Sequence, residues 1–331
     1  MKVFIVAHAL LRAALALMPT LGLGATSPSL VRVDGSVDAM GTGFSIIAYG
    51  EDRARLQSAV AQGLEEARRL DEMLSNYKPD SEWSQMNRQA AERPFRASAE
   101  LFELLSVCLE YSRASEGTFD ISVGPLMKLW GFYKGTGHLP HRAEIRGALR
   151  LIGYRNILLD GSNHWVRFAK RGVELDPGGI GKGYAVDRIA QILKNEGVQH
   201  SLISGGGSSI YAIGAPPGEK GWRVEIKNPR DPSKAIASVF LKDESMSTSG
   251  SYEKFFRAEG RLYSHIMDPR TGFPAQGILS TSVITPKTID SEAWAKPYYI
   301  LGPHWTAQHK QKDYRVFFCE DKPGKRCEWL P

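Results

Sequence analysis

The glycine-rich segment at residues 176–187, with the sequence DPGGIGKGYAVD, constrains the fold more than any other part of the chain. Four of the six residues from 178 to 183 are glycines, between a strand-like stretch at 173–175 and a helical pattern at 184–193. Because glycine lacks a Cβ atom, such a backbone turns tightly and approaches its neighbours closely. Free N–H groups and the dipole at the start of a helix attract an anion, and Lys182 adds a cation there. A plain tight turn with a surface lysine is the alternative, since short glycine motifs also occur by chance.

Two further segments of small residues favour a ligand site over a plain turn. Residues 204–209 have the sequence SGGGSS, and residues 245–252 have the sequence SMSTSGSY. Both lie between predicted strands, as the glycine-rich segment lies between a strand and a helix. Three such loops favour one long polar ligand that touches backbone in several places, whereas an isolated phosphate would need only one loop.

Composition and charge narrow the class of partner. The chain has 331 residues, which corresponds to two domains or one large one, and a formal net charge of +6. Its basic residues are scattered, with no run of five or six like charges and no basic stretch interleaved with aromatic residues. The sequence therefore does not support a nucleic-acid surface. The charge suits an anionic small ligand or the anionic face of a membrane.

The N-terminal residues 1–25 are typical of a secretory signal peptide. Lys2 precedes an apolar stretch at 3–17, and small residues follow, with expected cleavage after Gly24 or Ala25. The alternative is an uncleaved anchor in the inner membrane. A stable span needs about 18 or more apolar residues. This stretch is shorter and contains Arg12. We therefore expect an exported protein.

The three cysteines fall into two groups. Cys319 and Cys327 flank a Pro-Gly turn signal after a strand-like stretch at 315–318, which predicts a hairpin and, in an exported protein, a disulfide. Two ordinary thiols are the alternative. Cys108 lies in an apolar helical pattern and is expected in the core. No Cys/His spacing suggests zinc.

The order of patterns predicts an α+β fold with a mainly antiparallel sheet and flanking helices. Helices are expected at 53–74, 98–115, 142–151, 184–193 and 291–302. Strands are expected at 34–49, 156–159, 165–168, 172–175, 201–204, 209–213, 222–226, 236–241, 261–265 and 280–285. Loops are expected at 75–87 and 117–126. The Gly-x-Gly-x-x-Gly spacing of a Rossmann domain is missing.

Seven segments together resemble the ApbE family of periplasmic FAD:protein FMN transferases. In chain order they are residues 40–42, 75–77, 117–126, 129–132, 176–187, 247–250 and 264–272. The likeness implies a T-fold-like domain over residues 34–302, with residues 303–331 as a C-terminal extension that contains the possible disulfide hairpin. The function implied is transfer of FMN from FAD to a threonine or serine of an exported or membrane-bound flavoprotein subunit, with release of AMP.

The resemblance also assigns site residues. The residues it implies as FAD contacts are Met40, Tyr77, Thr118, Phe119, Asp120, Asp176, Lys182 and Met267. Tyr77 and Phe119 offer flat surfaces for rings, although core packing is the usual role of a lone aromatic residue. His265 is the candidate base, or a donor to the phosphates, since its ordinary pKa suits either role. A structural histidine is the alternative.

The chain departs from the family at the expected Mg²⁺ site. The family has Asp and Thr four residues apart in the late helix, together with a backbone carbonyl that corresponds to Gly179. Here Glu292 and Lys296 occupy those positions. An ammonium has no acceptor and cannot ligate a cation. Either Lys296 replaces the metal and neutralises the pyrophosphate, or metal-dependent catalysis is lost. Asp290 is a possible ligand for a shifted metal.

Three classes of function follow from these residues. The first is a flavin transferase. The second is an FAD-binding carrier or assembly factor without transferase activity. The third is a metal-dependent FAD pyrophosphatase, against which the missing Mg²⁺ ligands weigh most.

Overall fold

The computed structural model describes residues 30–331, so the predicted signal peptide lies outside the described residues. The helices are α1 (Arg53–Leu74), α2 (Glu82–Gln89), α3 (Ala99–Ala114), α4 (Gly124–Leu129), α5 (Arg142–Leu149), α6 (Gly181–Asn195) and α7 (Thr288–His309). The strands are β1 (Val31–Ala39), β2 (Thr42–Gly50), β3 (Phe95–Arg96), β4 (Ile157–Asp160), β5 (Trp165–Phe168), β6 (His200–Gly205), β7 (Ser209–Ile213), β8 (Trp222–Asn228), β9 (Asp231–Leu241), β10 (Ser245–Gly250), β11 (Phe255–Ala258), β12 (Arg261–Ser264), β13 (Met267–Asp268), β14 (Phe273–Pro274), β15 (Ile278–Thr285), β16 (Arg315–Glu320) and β17 (Glu328–Trp329).

One eight-stranded antiparallel sheet organises the chain, in the order β1-β2-β6-β7-β10-β15-β16-β17. Neighbouring residues of a strand point to opposite faces. Ile203 therefore packs with Val60 of α1 and Ile189 of α6, while Leu202 packs with Trp222 and Leu241 of the β8–β9 hairpin. Burial on both faces explains why every residue of the central strand β7 is buried. The α+β prediction is confirmed, and so is the absence of a Rossmann arrangement.

Helices with clear caps begin where the sequence predicted. Asp52 accepts hydrogen bonds from the backbone N–H groups of Ala54 and Arg55 at the start of α1. Ser98 accepts one from the N–H of Leu101 at the start of α3. Each cap satisfies a donor that the first helical turn leaves free.

The strand predicted at 34–49 is instead a hairpin. Met40 and Gly41, with φ angles of 52° and 69°, form the two-residue turn between β1 and β2. Two consecutive positive φ angles suit the twist of a tight hairpin. Residue 40 is not one of the usual turn residues, which is why the turn was missed.

The loop predicted at 75–87 contains helix α2, whose N-cap is Ser81. No strand forms at the predicted 172–175, because Gly172 lies in a turn with a φ of 90° and the residues after it have no strand partner. Side chains of α2 bond to this segment instead: Asn87 both donates to and accepts from the backbone of Leu175 at 2.9 Å, and Trp83 Nε1 donates to the Leu175 carbonyl at 3.0 Å.

The loop predicted at 117–126 contains a short 3₁₀ helix, Ile121–Val123, and the start of α4. Helix α7 is broken at Gly302, where φ is 78°, so the predicted end of the late helix at residue 302 marks the end of its first part.

Residues beyond 302 complete the main sheet through β16 and β17. The predicted disulfide is present, with an S–S distance of 2.06 Å between Cys319 and Cys327. Cys108 is a buried free thiol in α3, as expected. Across residues 30–331, no helix combines the length and the apolar character that crossing a bilayer requires.

Candidate functional site

The glycine-rich segment forms the predicted turn into a helix. Residues Pro177–Gly179 make one turn of 3₁₀ helix, and α6 begins at Gly181. The carboxylate of Asp176 accepts a hydrogen bond from the N–H of Gly178 at 2.5 Å. A Cβ atom on Gly178 would lie 2.7 Å from Asp176 Oδ1. The glycine therefore allows Asp176 to cap the turn.

Gly183 serves helix packing. A Cβ atom there would lie 2.6 Å from the Thr288 carbonyl oxygen and 2.9 Å from Glu292 Cβ, so only glycine lets α6 approach α7 this closely. Asp187, one helical turn further on, accepts hydrogen bonds from the N–H groups of Thr288 and Ile289 at 2.7 and 2.8 Å. Two residues of the motif thus join α6 to the start of α7.

Glu292 lies at the centre of a charged cluster. It is 2% exposed, and its Oε1 atom is 3.0 Å from Lys182 Nζ and 3.8 Å from Lys296 Nζ. Its Oε2 atom accepts the N–H of Gly183. Burial disfavours the carboxylate, but the two ammonium groups and this N–H outweigh burial and lower the pKa of Glu292. The same pairing raises the pKa of Lys182 despite its burial.

Lys296 lies beside the turn. A Cβ atom on Gly179 would lie 3.6 Å from Lys296 Cε and 3.4 Å from Phe119 Cε2. Lys296 Nζ donates to the carbonyl of Glu292 at 3.0 Å. Burial lowers the pKa of Lys296 to about 8, with Glu292 opposing the shift. The carboxylate of Glu292 thus favours the ammonium form of Lys296 against the effect of burial.

These residues do not fit a divalent cation. The carboxylate of Glu292 already has two ammonium partners, which would repel a metal ion. Asp290, the expected alternative ligand, accepts a hydrogen bond from the hydroxyl of Tyr111 instead. Within residues 30–331, no group of three or more His, Cys, Asp or Glu side chains is arranged to hold a metal.

His265 lies next to the lysines at the end of β12. Its backbone N–H and its Nδ1 atom lie 3.0 and 3.2 Å from the carbonyl oxygen of Lys254. Burial, and then the charges of Lys254, Lys182 and Lys296, lower its pKa. The ring is therefore neutral, and because a carbonyl only accepts, Nδ1 bears the hydrogen and Nε2 has the free lone pair. We refer to Lys182, Lys254, Lys296 and His265 as the basic site.

Two tyrosines, Tyr133 and Tyr77, form an edge-on pair beside Asp176, and Tyr133 is hydrogen-bonded to Asp176. Tyr133 donates to Asp176 Oδ2 at 2.5 Å and accepts from Asn76 Nδ2 at 3.3 Å. Its ring meets that of Tyr77 edge-on, with centroids 6.0 Å apart. Tyr77 is 69% exposed, so a flat surface is available to a ligand. Asn76 Oδ1 is buried and has no hydrogen-bond partner.

Two residues of this region, Tyr133 and Lys254, were not predicted from the sequence. Tyr133 directly follows the 129–132 motif, and its adjacency to that motif was the only signal for it. Lys254 follows the 245–252 loop, and its part in the site depends on its backbone contact with His265.

The side chains of the 118–120 motif bond within the chain. Thr118 donates to the Ser115 carbonyl at 2.7 Å. Asp120 accepts from the N–H groups of Ser122 and Tyr154 at 2.8 and 2.6 Å, yet burial dominates and raises its pKa. Phe119 is buried against Tyr111, which favours core packing over stacking on a ligand.

The two methionines lie in neighbouring apolar clusters. The N–H of Met40 donates to Asp71 Oδ1 at 2.9 Å, and its partly buried side chain packs against the core cluster that contains Phe44 and Val186. Met267 is buried with Trp130 and Ile145. The described contacts place neither methionine directly against the basic site.

Comparisons with known proteins identify the class to which this fold and site belong. The fold matches an ApbE protein of Thermotoga maritima, with a TM-score of 0.82, 28% identity and coverage of 90% of this chain and 96% of the other. It also matches the apo form of the Pseudomonas stutzeri flavinyl transferase ApbE, with a TM-score of 0.77, 28% identity and coverage of 91% and 94%.

Relatives found by sequence point to the same class of protein as these solved structures. A Klebsiella pneumoniae FAD:protein FMN transferase is 32% identical over 268 residues, which is 80% of each chain. A Salmonella typhimurium protein of the same name is 29% identical over 314 residues, or 90% of this chain and 86% of the relative. The sequence model of the ApbE family matches residues 40–318. The chain belongs to the ApbE family and is a transferase.

Proposed function

We propose that this protein transfers FMN from FAD to the hydroxyl of a threonine or serine in an exported or membrane-bound flavoprotein subunit, and releases AMP. The proposal is supported above all by the basic site, which concentrates cationic groups beside Asp176 and the start of α6. Membership of the ApbE family supports the same reaction.

The reaction needs charge neutralisation and a base. The acceptor oxygen forms a bond to the flavin-side phosphorus, and the bond from that phosphorus to the bridging oxygen breaks. AMP leaves with the bridging oxygen, and the hydroxyl proton passes to Nε2 of His265. That nitrogen has the free lone pair because Nδ1 donates to Lys254. Lys182 and Lys296 offset the charge that develops on the phosphates.

In this proposal the flavin end of FAD lies against Tyr77. Its exposed ring is held edge-on by Tyr133, and Tyr133 also fixes Asp176 through its hydroxyl. Asn76 Oδ1 is a buried acceptor still available for a ligand N–H. Phe119 is packed in the core and its N–H already donates to Ser115 Oγ at 3.0 Å, so Phe119 is left out of this contact.

Export is part of the proposal. The predicted signal peptide at residues 1–25 supports it, and so does the Cys319–Cys327 disulfide, since such bonds persist in oxidising compartments. The acceptor subunit would meet the enzyme in the same compartment.

The direct test is incubation of the mature chain with FAD and candidate acceptor domains, followed by intact mass measurement. A mass increase equal to FMN less water, lost when the acceptor hydroxyl residue is replaced by alanine, is the expected result. FAD binding without a mass change would indicate a carrier, and release of FMN and AMP without acceptor would indicate a pyrophosphatase. Either outcome would overturn the proposal.

A further inference from the structure

The side chain at the position expected to ligate a metal is an ammonium held in place by the chain itself. Lys296 Nζ donates to the carbonyl one helical turn earlier, at Glu292, and lies 3.8 Å from the carboxylate of the same residue. Its stem runs beside Gly179. Lys296 thus points toward the turn and away from bulk solvent, with its side chain 23% exposed.

Lys182 and Lys296 share the single carboxylate of Glu292. The carboxylates of Asp176 and Glu253 also face this cluster, and the exposed Lys254 adds a third ammonium group. Because each ammonium has three N–H donors, Lys182 and Lys296 can also donate to an anion bound beside the turn.

We propose that Lys296, together with Lys182, takes the place of a bound cation and neutralises the pyrophosphate of FAD directly. FAD binding by this chain is then independent of Mg²⁺. The inference rests on the FAD site of the proposed function. It also accounts for the lack of fit to a metal, because the two ammonium groups that occupy the Glu292 carboxylate and would repel a divalent cation are donors for a pyrophosphate.

The first experiment uses the wild-type mature chain. Its Kd for FAD is measured by calorimetry in excess EDTA and again in Mg²⁺. The inference requires the same Kd under both conditions, and a higher Kd in EDTA than in Mg²⁺ would overturn it. This comparison needs no variant and so does not depend on a variant's folding.

One variant then tests the ammonium of Lys296. Lys296→Met keeps the aliphatic stem and should weaken FAD binding by about 10- to 100-fold, the value of one charged hydrogen bond. Lys312→Met, at an exposed lysine beyond the end of α7, is the matched control and should leave the Kd unchanged.

The outcomes separate this inference from the proposed function. An unchanged Kd in Lys296→Met would overturn the inference alone. Metal-independent FAD binding without transfer to any acceptor would overturn the proposed function alone. Absence of FAD binding under both conditions would overturn both.

Discussion

Gly183 donates its backbone N–H to Oε2 of Glu292, and this bond joins the first turn of α6 to the middle of α7. The glycine-rich motif thereby positions the central carboxylate of the basic site through the chain itself. Because Glu292 in turn holds Lys182 and Lys296, one missing Cβ atom determines where two ammonium groups lie.

Gly183→Ala should therefore be destabilising. The new Cβ would lie 2.6 Å from the Thr288 carbonyl oxygen, so the two helices must separate. Overpacking of this kind costs about 1–3 kcal/mol. Chemical denaturation measures the loss, and FAD binding should weaken with it. Gly147→Ala, in α5 with nothing within 4 Å of the added atom, is the control and should be neutral or stabilising by up to about 1 kcal/mol. Equal effects of the two changes would contradict the packing argument.

His265→Asn should separate chemistry from binding. A lost general base lowers the transfer rate by about 100- to 10,000-fold. The Kd for FAD should change little, because the neutral ring contributes no charge. Since the pKa of His265 is lowered, it stays deprotonated as pH falls through 6.5, and kcat/KM of the wild type should show no decline near that pH. A decline centred there would argue against His265 as the base.

Tyr133→Phe tests the aromatic pair. The change removes the hydrogen bond to Asp176 but keeps the ring against Tyr77. We expect a loss of about 1–2 kcal/mol in the free energy of unfolding, since the acceptor is a carboxylate. FAD binding should also weaken, because Asp176 loses its orientation. Tyr263→Phe, whose ring stacks on Phe256, is the matched control. Unchanged FAD affinity in Tyr133→Phe would remove Tyr133 from the site.

Arg69 stabilises the start of α3 against α1 in a pH-dependent way. It bonds to Glu100, whose pKa it lowers, and to Glu66, whose pKa falls although burial opposes the shift. A lowered pKa gives stability that is present above the ordinary glutamate pKa and is lost as pH falls below it. Arg69→Met should lower the free energy of unfolding by about 1 kcal/mol at pH 7. The difference in stability between this variant and the wild type should become smaller at acidic pH.

Urea denaturation at pH 7 and at mildly acidic pH measures this dependence. Arg68→Met removes an exposed pair with exposed Glu65 and should have almost no effect at either pH. A constant penalty for Arg69→Met across the range would show that packing, and not the two carboxylates, is responsible.

Removal of the Cys319–Cys327 disulfide by a double alanine substitution should lower the free energy of unfolding. The bridged residues are 8 positions apart, and a loop of that size contributes about 2–3 kcal/mol. Peptide mapping without reductant checks the bond, and both thiols found free in exported protein would refute it. The double variant should keep its FAD affinity, since the bridge lies at β16 and β17.

Local patterns predicted the parts of the fold that local chemistry determines. Helix α1 and helix α3 have strong caps and regular apolar spacing, and both begin within a residue of the prediction. The turn at Met40 was missed because its backbone conformation is enforced by strand pairing around it. Helix α2 was missed because it is short and its main role is to bond to Leu175, far along the chain.

In the site, too, features set by local sequence were predicted and features set by tertiary contacts were not. The glycine-rich turn, Lys182 and the unusual pair Glu292 and Lys296 were visible in the sequence, because each belongs to a motif. Tyr133 and the partnership of Asp290 with Tyr111 were not, because each depends on residues brought together only by the fold. Ring burial at Phe119 likewise follows from tertiary packing.

The segment that leads into the glycine-rich turn has no strand partner, and its backbone is held at Leu175 by Trp83 and Asn87 of α2 and at Asp176 by the carbonyl of Ile121. The main sheet therefore need not open for this segment to move. Undocking of α2 would free the Leu175 amide to exchange with solvent while the central strands stayed protected. Opening of the turn would therefore require breaking the bonds from two side chains of an eight-residue helix and from the Ile121 carbonyl, without breaking the hydrogen bonds of the main sheet.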